Sequence, residues 1–212
     1  MRAPVYQPDL RTFLRKARGG NLVPVWREVL ADHVTPVSAY AALRAGTPAP
    51  GRPPFRFLLE SVEGGERIGR YSFLGAAPRA LFRAGPGRAT LETAGGERSE
   101  IATDDPLAVL AEHMAGYRAV PDEHLPRFTG GAVGMMGYET AATFDRVPRC
   151  PRPGLPWPDM LFGITDTLLI FDRARHTVKV VANAWVGDDP ETAYRDACGR
   201  VADLEILDDT FA

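Results

Sequence analysis

The chain has 212 residues, 45% of them hydrophobic and 25% charged, with a formal net charge of −2. That length makes one large domain or two small ones with a sizeable core, and the near-neutral balance excludes a general electrostatic case for nucleic acid or an anionic membrane. Two cysteines, Cys150 and Cys198, with no Cys-x-x-Cys pair exclude a disulfide framework and fit a reducing cytoplasm.

The opening MRAPVYQPDL lacks an apolar core of signal-peptide length. No stretch approaches the ~20 apolar residues that a membrane helix needs, so the reading is a soluble, cytoplasmic protein. The first helix follows Asp9 as its cap, with Leu10, Phe13, Leu14 and Ala17 on one face, and Gly19-Gly20 end it. LVPVWREV then reads as a strand whose Pro24 suits a sheet edge. Ser38 is placed to cap a short helix from Ala39 to Arg44, and the Pro- and Gly-rich stretch from Gly46 to Pro54 reads as a loop.

Phe55 to Ser61 and Arg70 to Ala76 read as strands, and Ala80 to Ala84 and Arg88 to Thr93 flank Gly-Pro-Gly as a hairpin. Gly95-Gly96 mark a further turn. Asp105-Pro106 open a second helix with Leu107, Leu110, Met114 and Tyr117 along one face, and Gly130 to Gly137 is a glycine-rich strand. A short helical stretch after Tyr138 leads into the proline-rich segment Pro148 to Pro158. Met160 to Phe171 and Thr177 to Asn183 read as the two arms of a hairpin across the polar DRARH. A last helix starts near Asp189-Pro190, with Ala193, Ala197, Val201 and Leu204 as its apolar stripe. Strands joined by short connections, with helices between the blocks, predict an α+β fold: an antiparallel sheet or sandwich with flanking helices.

Catalytic constellations are scarce. His33, His113, His124 and His176 share no metal-ligand spacing, and GGAVGMMG lacks the Gly-Lys-Ser/Thr of a phosphate loop, so its glycines read as close backbone packing. Asp104-Asp105 and Asp188-Asp189 precede helices, where capping accounts for them. FRFLLES stands apart. Alternation puts Phe55, Phe57, Leu59 and Ser61 on one face and Arg56, Leu58 and Glu60 on the other. A carboxylate and a hydroxyl at a strand end beside apolar surface suit a zwitterionic amino acid with an apolar side chain. Arg70 on the next strand offers a partner for its carboxylate. The bland alternative is a strand end carrying a solvent-facing glutamate and a weak surface ion pair.

LLES, then RYSFLG, then FTGGAVGMMGYE, then PWPDMLF and LLIFDRARHTVKVVAN resemble, in this order, the N-terminal part of anthranilate synthase component I. TPV before a helix, in LVPVWREVLADHVTPVSAYAALR, fits the same pattern, while Glu139 stands where an aspartate is usual and Thr129 sits within the glycine motif. The resemblance implies that residues 1–212 form a single regulatory, tryptophan-binding domain. It implies a complete enzyme, a lyase of tryptophan biosynthesis, that turns chorismate and ammonia into anthranilate and pyruvate under feedback inhibition by tryptophan. A glutamine amidotransferase subunit supplies the ammonia. Chorismate and Mg²⁺ belong to a C-terminal catalytic domain absent from this chain, so no catalytic or metal-binding residue is expected here and the chain alone is expected to be inactive. By position, Leu59, Glu60 and Ser61 transfer as effector-binding residues, with Arg70, Tyr71 and Ser72 of the facing strand as further candidates. Two alternatives stay open: the matching part of aminodeoxychorismate synthase, and a stand-alone amino-acid-binding module without catalysis.

Overall fold

The computed structural model of the protein describes residues 5–31, 33–46, 51–60, 69–149 and 155–209. Asp9 accepts a hydrogen bond from the Thr12 N–H at 2.7 Å and starts helix α1 (Leu10–Lys16), whose Phe13 is fully buried. Strand β1 (Leu22–Leu30) lies at a sheet edge, where the missing N–H of Pro24 does no harm, and Gln7 exchanges two backbone hydrogen bonds with Trp26 across that edge. Helix α2 (Pro36–Ala45) begins earlier than expected. Its cap is Thr35, and Ser38 is the third helical residue, closing a reciprocal capping box with it. Thr35 and Ser38 are both capping types, and Pro36 in the first helical turn with Ser38 at the third position decides for Thr35.

Strands β2 (Arg56–Leu59) and β3 (Tyr71–Ala76) pair antiparallel, with Leu59 opposite Phe73. Strands β4 (Ala80–Gly85) and β5 (Arg88–Thr93) form the expected hairpin, its turn made by Pro86 and a left-handed Gly87 at φ 71°. Beyond Gly95-Gly96 runs β6 (Arg98–Ala102), an exposed edge strand that the sequence reading passed over. Helix α3 (Pro106–Ala115) is capped by Asp105, strand β7 is Gly131–Met136, and a short 3-10 helix covers Tyr138–Thr143. Gly134 of β7 faces the backbone of β8 (Met160–Thr165); a Cβ there would sit 1.9 Å from the Leu161 carbonyl oxygen. Close packing is therefore the reason for this glycine.

The expected long hairpin arm from Met160 to Phe171 is two strands in two sheets. β8 ends at Thr165, and β9 (Thr167–Asp172) begins after Asp166. Only β9 pairs with β10 (Thr177–Trp185), from Thr177 opposite Asp172 to Ala182 opposite Thr167, so the second half of the expected hairpin stands and the first half does not. The two antiparallel sheets run β1-β10-β9-β3-β2 and β6-β5-β4-β8-β7. Helix α4 (Pro190–Asp209) lies on the first sheet, burying Ala197 and Val201 beside Phe13, Leu74 and Val180. The opposite face buries Trp26, Phe57, Leu168 and Ile170 against Leu125, Phe128 and Val133. Helix α3 covers the second sheet with Leu110, beside Phe82 and Met160. This is the α+β arrangement expected, built on two sheets.

Asp166 holds the crossing. Arg52 grips it with two nitrogens, at 2.8 and 3.2 Å, and Arg200 Nη2 lies 4.0 Å away while donating to the Asn183 carbonyl at 2.7 Å. The Asn183 N–H donates to the Asp166 carbonyl at 2.7 Å, so side chain and backbone are both engaged. Burial pulls the Arg200 guanidinium pKa down, Asp166 opposes this, and Arg52 and Arg79 add to the lowering. Asp166→Ala leaves these cations without their carboxylate. The expected loss is roughly 2–3 kcal/mol, short of the ~3–5 kcal/mol for a fully buried pair, because Arg52 and Arg200 keep 19% and 25% of their side-chain exposure. Urea unfolding measures it. A loss under about 0.5 kcal/mol, the range of ordinary surface substitutions, would contradict the clamp.

Candidate effector site at the end of a strand pair

Beyond the last rung of the β2–β3 ladder, charge gathers on both faces of the first sheet. Alternation sets Leu58 and Glu60 toward the helix-covered face and Phe57 and Leu59 toward the other. Leu58 packs with the helix-side cluster, and Phe57, Tyr71 and Phe73 with the opposite one. Ser72, fully buried, shares a face with Leu74, which lies in the helix-side cluster. The sequence candidates therefore form two groups. Glu60 and Ser72 meet on the helix-covered face; Leu59 and Tyr71 lie on the other.

A residue absent from the sequence candidates joins the first group. The Arg173 guanidinium donates through Nη2 both to Glu60 Oε1 and, at 3.2 Å, to Ser72 Oγ. Arg173 follows directly on β9, and its own N–H donates to the Arg70 carbonyl at 3.0 Å, which fixes its backbone beside β3. The hydroxyl that shares a partner with Glu60 is thus that of Ser72. Ser61 lies outside the described residues. The Glu60 side chain keeps 27% of its exposure and that of Arg173 38%, so the pair is reachable from solvent.

On the other face Arg70 makes a two-pronged hydrogen bond to Asp172, at 2.9 and 2.6 Å, and lies 4.9 Å from the centre of the Tyr71 ring. Arg70, expected to face a ligand carboxylate, is engaged by a carboxylate of the chain itself. Burial pushes the Asp172 carboxyl up. The Arg70 hydrogen bond and charge, with the N–H groups of Ala174 and Arg175, outweigh burial and hold it below the usual carboxylate range. Leu59 is 44% exposed and offers apolar surface at the rim.

A depression lies on the other sheet, lined by Gly85, Pro86, Gly87, Asp104, Thr143 and Arg149 among others. Its Arg149 is held by Asp159 at 2.5 Å and lies 3.9 Å from Glu139, which ties down the glutamate of the GYE motif. Among the described residues no group of three or more His, Cys, Asp or Glu side chains is arranged to hold a metal ion. No helix among them is long and apolar enough to cross a membrane.

A depressed carboxylate supplies stability that is present above its unfolded pKa, about 3.9, and is lost as pH falls through the lower folded value. Asp172 is in this class, together with Asp9, Asp122 and Asp189. Asp172→Asn is expected to unfold more easily at pH 7 and to lose less further stability between about pH 4 and pH 2, with the residual slope left to the other three. Thermal melts across that range check it; parallel acid slopes would show that Arg70 does not hold Asp172 ionised.

No protein-family profile matches the chain. Curated relatives do. The anthranilate synthase component 1 of Synechocystis sp. is 40% identical over 202 residues, covering 93% of this chain and 38% of the relative. That of Pseudomonas aeruginosa is 36% identical over 197 residues, 91% of this chain and 38% of its own length. The chloroplastic anthranilate synthase alpha subunit 2 of Oryza sativa subsp. japonica is 34% identical over 189 residues, 84% of this chain and 30% of its own length. The crystal structure of anthranilate synthase component I from Streptococcus pneumoniae aligns with a TM-score of 0.51 at 22% identity, over 82% of this chain and 35% of that one, which speaks for the fold alone. Over nine-tenths of its length the chain is homologous to anthranilate synthase component I, and it spans about two-fifths of the length of those proteins.

Proposed function

We propose that this chain is the N-terminal regulatory domain of an anthranilate synthase component I, one unit over residues 1–212, with the strand end at Glu60 as its tryptophan site. In this reading the whole protein is a cytoplasmic lyase of tryptophan biosynthesis that converts chorismate and ammonia to anthranilate and pyruvate. An amidotransferase subunit draws the ammonia from glutamine. Chorismate and Mg²⁺ bind in the part of the relatives that this chain does not cover, and the residues described here are assigned no part in holding the ion.

The observation that carries the effector reading is the convergence of Glu60 and Ser72 on one cationic nitrogen. A carboxylate and a buried hydroxyl that share one guanidinium nitrogen are the kind of acceptors that an α-ammonium requires. On the same face the half-buried Leu58 adds apolar surface, while Leu59 and Tyr71, on the other face, stay candidates by position. Ser61 and Arg70 remain candidates by position. Tryptophan bound at this strand end inhibits by favouring a conformation of the whole enzyme, in proportion to its preference for that conformation.

Titration calorimetry of L-tryptophan against the chain and its Glu60→Ala variant tests the site. A hydrogen bond to a charged group is worth roughly 1.5–3 kcal/mol. Glu60 is partly solvated, so the lower end applies and the expected loss is about tenfold in affinity. Equal affinities would return Glu60 to the role of a solvent-facing strand end. A separate assay concerns catalysis: with chorismate, ammonia and Mg²⁺ the chain alone is expected to form no fluorescent anthranilate above background. Turnover would move the chemistry into these residues.

A further inference from the structure

Arg173 has no role in the effector reading, yet it occupies the acceptors on which that reading depends. One nitrogen, Nη2, takes both Glu60 Oε1 and Ser72 Oγ. The backbone of Arg173 is fixed by its N–H to the Arg70 carbonyl at 3.0 Å, so making room requires the side chain to turn away while the strand end stays. The guanidinium of Arg70 is engaged by Asp172 through Nε and Nη2 and lies against the Tyr71 ring.

From this geometry we infer that Arg173 is a specificity-determining residue: a built-in cationic competitor that an amino-acid ligand must displace from Glu60 and Ser72. The inference rests on the effector reading above. Two cations cannot share those acceptors without like-charge repulsion, so a ligand gains Glu60 only by supplying a positive charge of its own. An α-ammonium does so. A ligand without one leaves Arg173 in place and binds by its apolar part alone. Arg173 thereby lowers the affinity for the amino acid and reserves the site for molecules with a free amino group.

The test is Arg173→Gln, which keeps an N–H₂ donor and removes the charge, beside Arg173→Lys, which keeps the charge. Three probes are titrated into the full chain: L-tryptophan, tryptamine, which lacks the carboxylate, and indole-3-propionate, which lacks the ammonium. Exposed ion pairs are weak, so Arg173→Gln is expected to bind tryptophan and tryptamine about two- to fivefold more tightly than wild type. Indole-3-propionate is expected to be unchanged, and Arg173→Lys to stay near wild type for all three. Thermal melts of both variants establish that they are folded. Weaker binding of tryptophan and indole-3-propionate by Arg173→Gln would mean that Arg173 receives the ligand carboxylate, and the inference falls. Unchanged tryptophan binding overturns it too. Absence of tryptophan binding to wild type and both variants would overturn the effector reading itself and this inference with it.

Discussion

Between Thr165 and Thr167 the chain leaves one sheet and enters the other, and the residue at the crossing is a nearly buried carboxylate. Asp166 is 5% exposed and is held by Arg52 from the loop before β2 and approached by Arg200 from α4. A charge so placed stands only with partners, and its partners come from segments on either side of the first sheet's strand order. The same residue accepts the Asn183 N–H from β10, and the Asn183 side chain donates to the Thr129 carbonyl just before β7. Loop, helix and both sheets are thereby tied to one point.

The consequence reaches the other end of β9. That strand is buried along all six residues, with β10 on one side and β3 on the other. Its register is set by Asp166 at the start and by Asp172 at the finish, where Tyr71 lies opposite Asp172 and Arg70 grips it. Arg173 is the next residue, and the end of β9 delivers it to Glu60 and Ser72. A strand can end in charge here because the sheet separates two ion pairs: Arg70–Asp172 on one face and Arg173–Glu60 on the other. The first is two-pronged, with a carboxylate only 3% exposed; the second is open to solvent on both sides. Of the two, the open pair is the one a ligand can exchange with.

Much of this was legible in the sequence, and the failures have physical causes. Asp9, Asp105 and Gly-Pro-Gly act through neighbours three or fewer residues away, so local chemistry fixes their helices and turn. The split of Leu59 from Glu60 follows from alternation alone. The division of Met160–Phe171 does not show as a periodicity, because β8 and β9 are apolar and buried almost throughout and no glycine or proline separates them. Asp166 was the signal, a lone charge in an apolar run. Strand β6 escaped because RSEIA is exposed at every position and carries no alternation. Arg173 was missed for a different reason: it is 113 residues from Glu60, and only the sheet order brings them together. The homology covers the chain and names the relatives' enzyme, but it does not by itself say which side chains meet.

The most direct measurement is a backbone amide NMR titration of the chain with L-tryptophan. The account predicts that the shifts centre on Glu60, Tyr71, Ser72 and Arg173, at the shared end of β2, β3 and β9, while β6 and α3 stay unperturbed. Shifts centred instead on Gly85, Asp104 and Arg149, at the depression on the other sheet, would contradict it, as would a spectrum that tryptophan leaves unchanged.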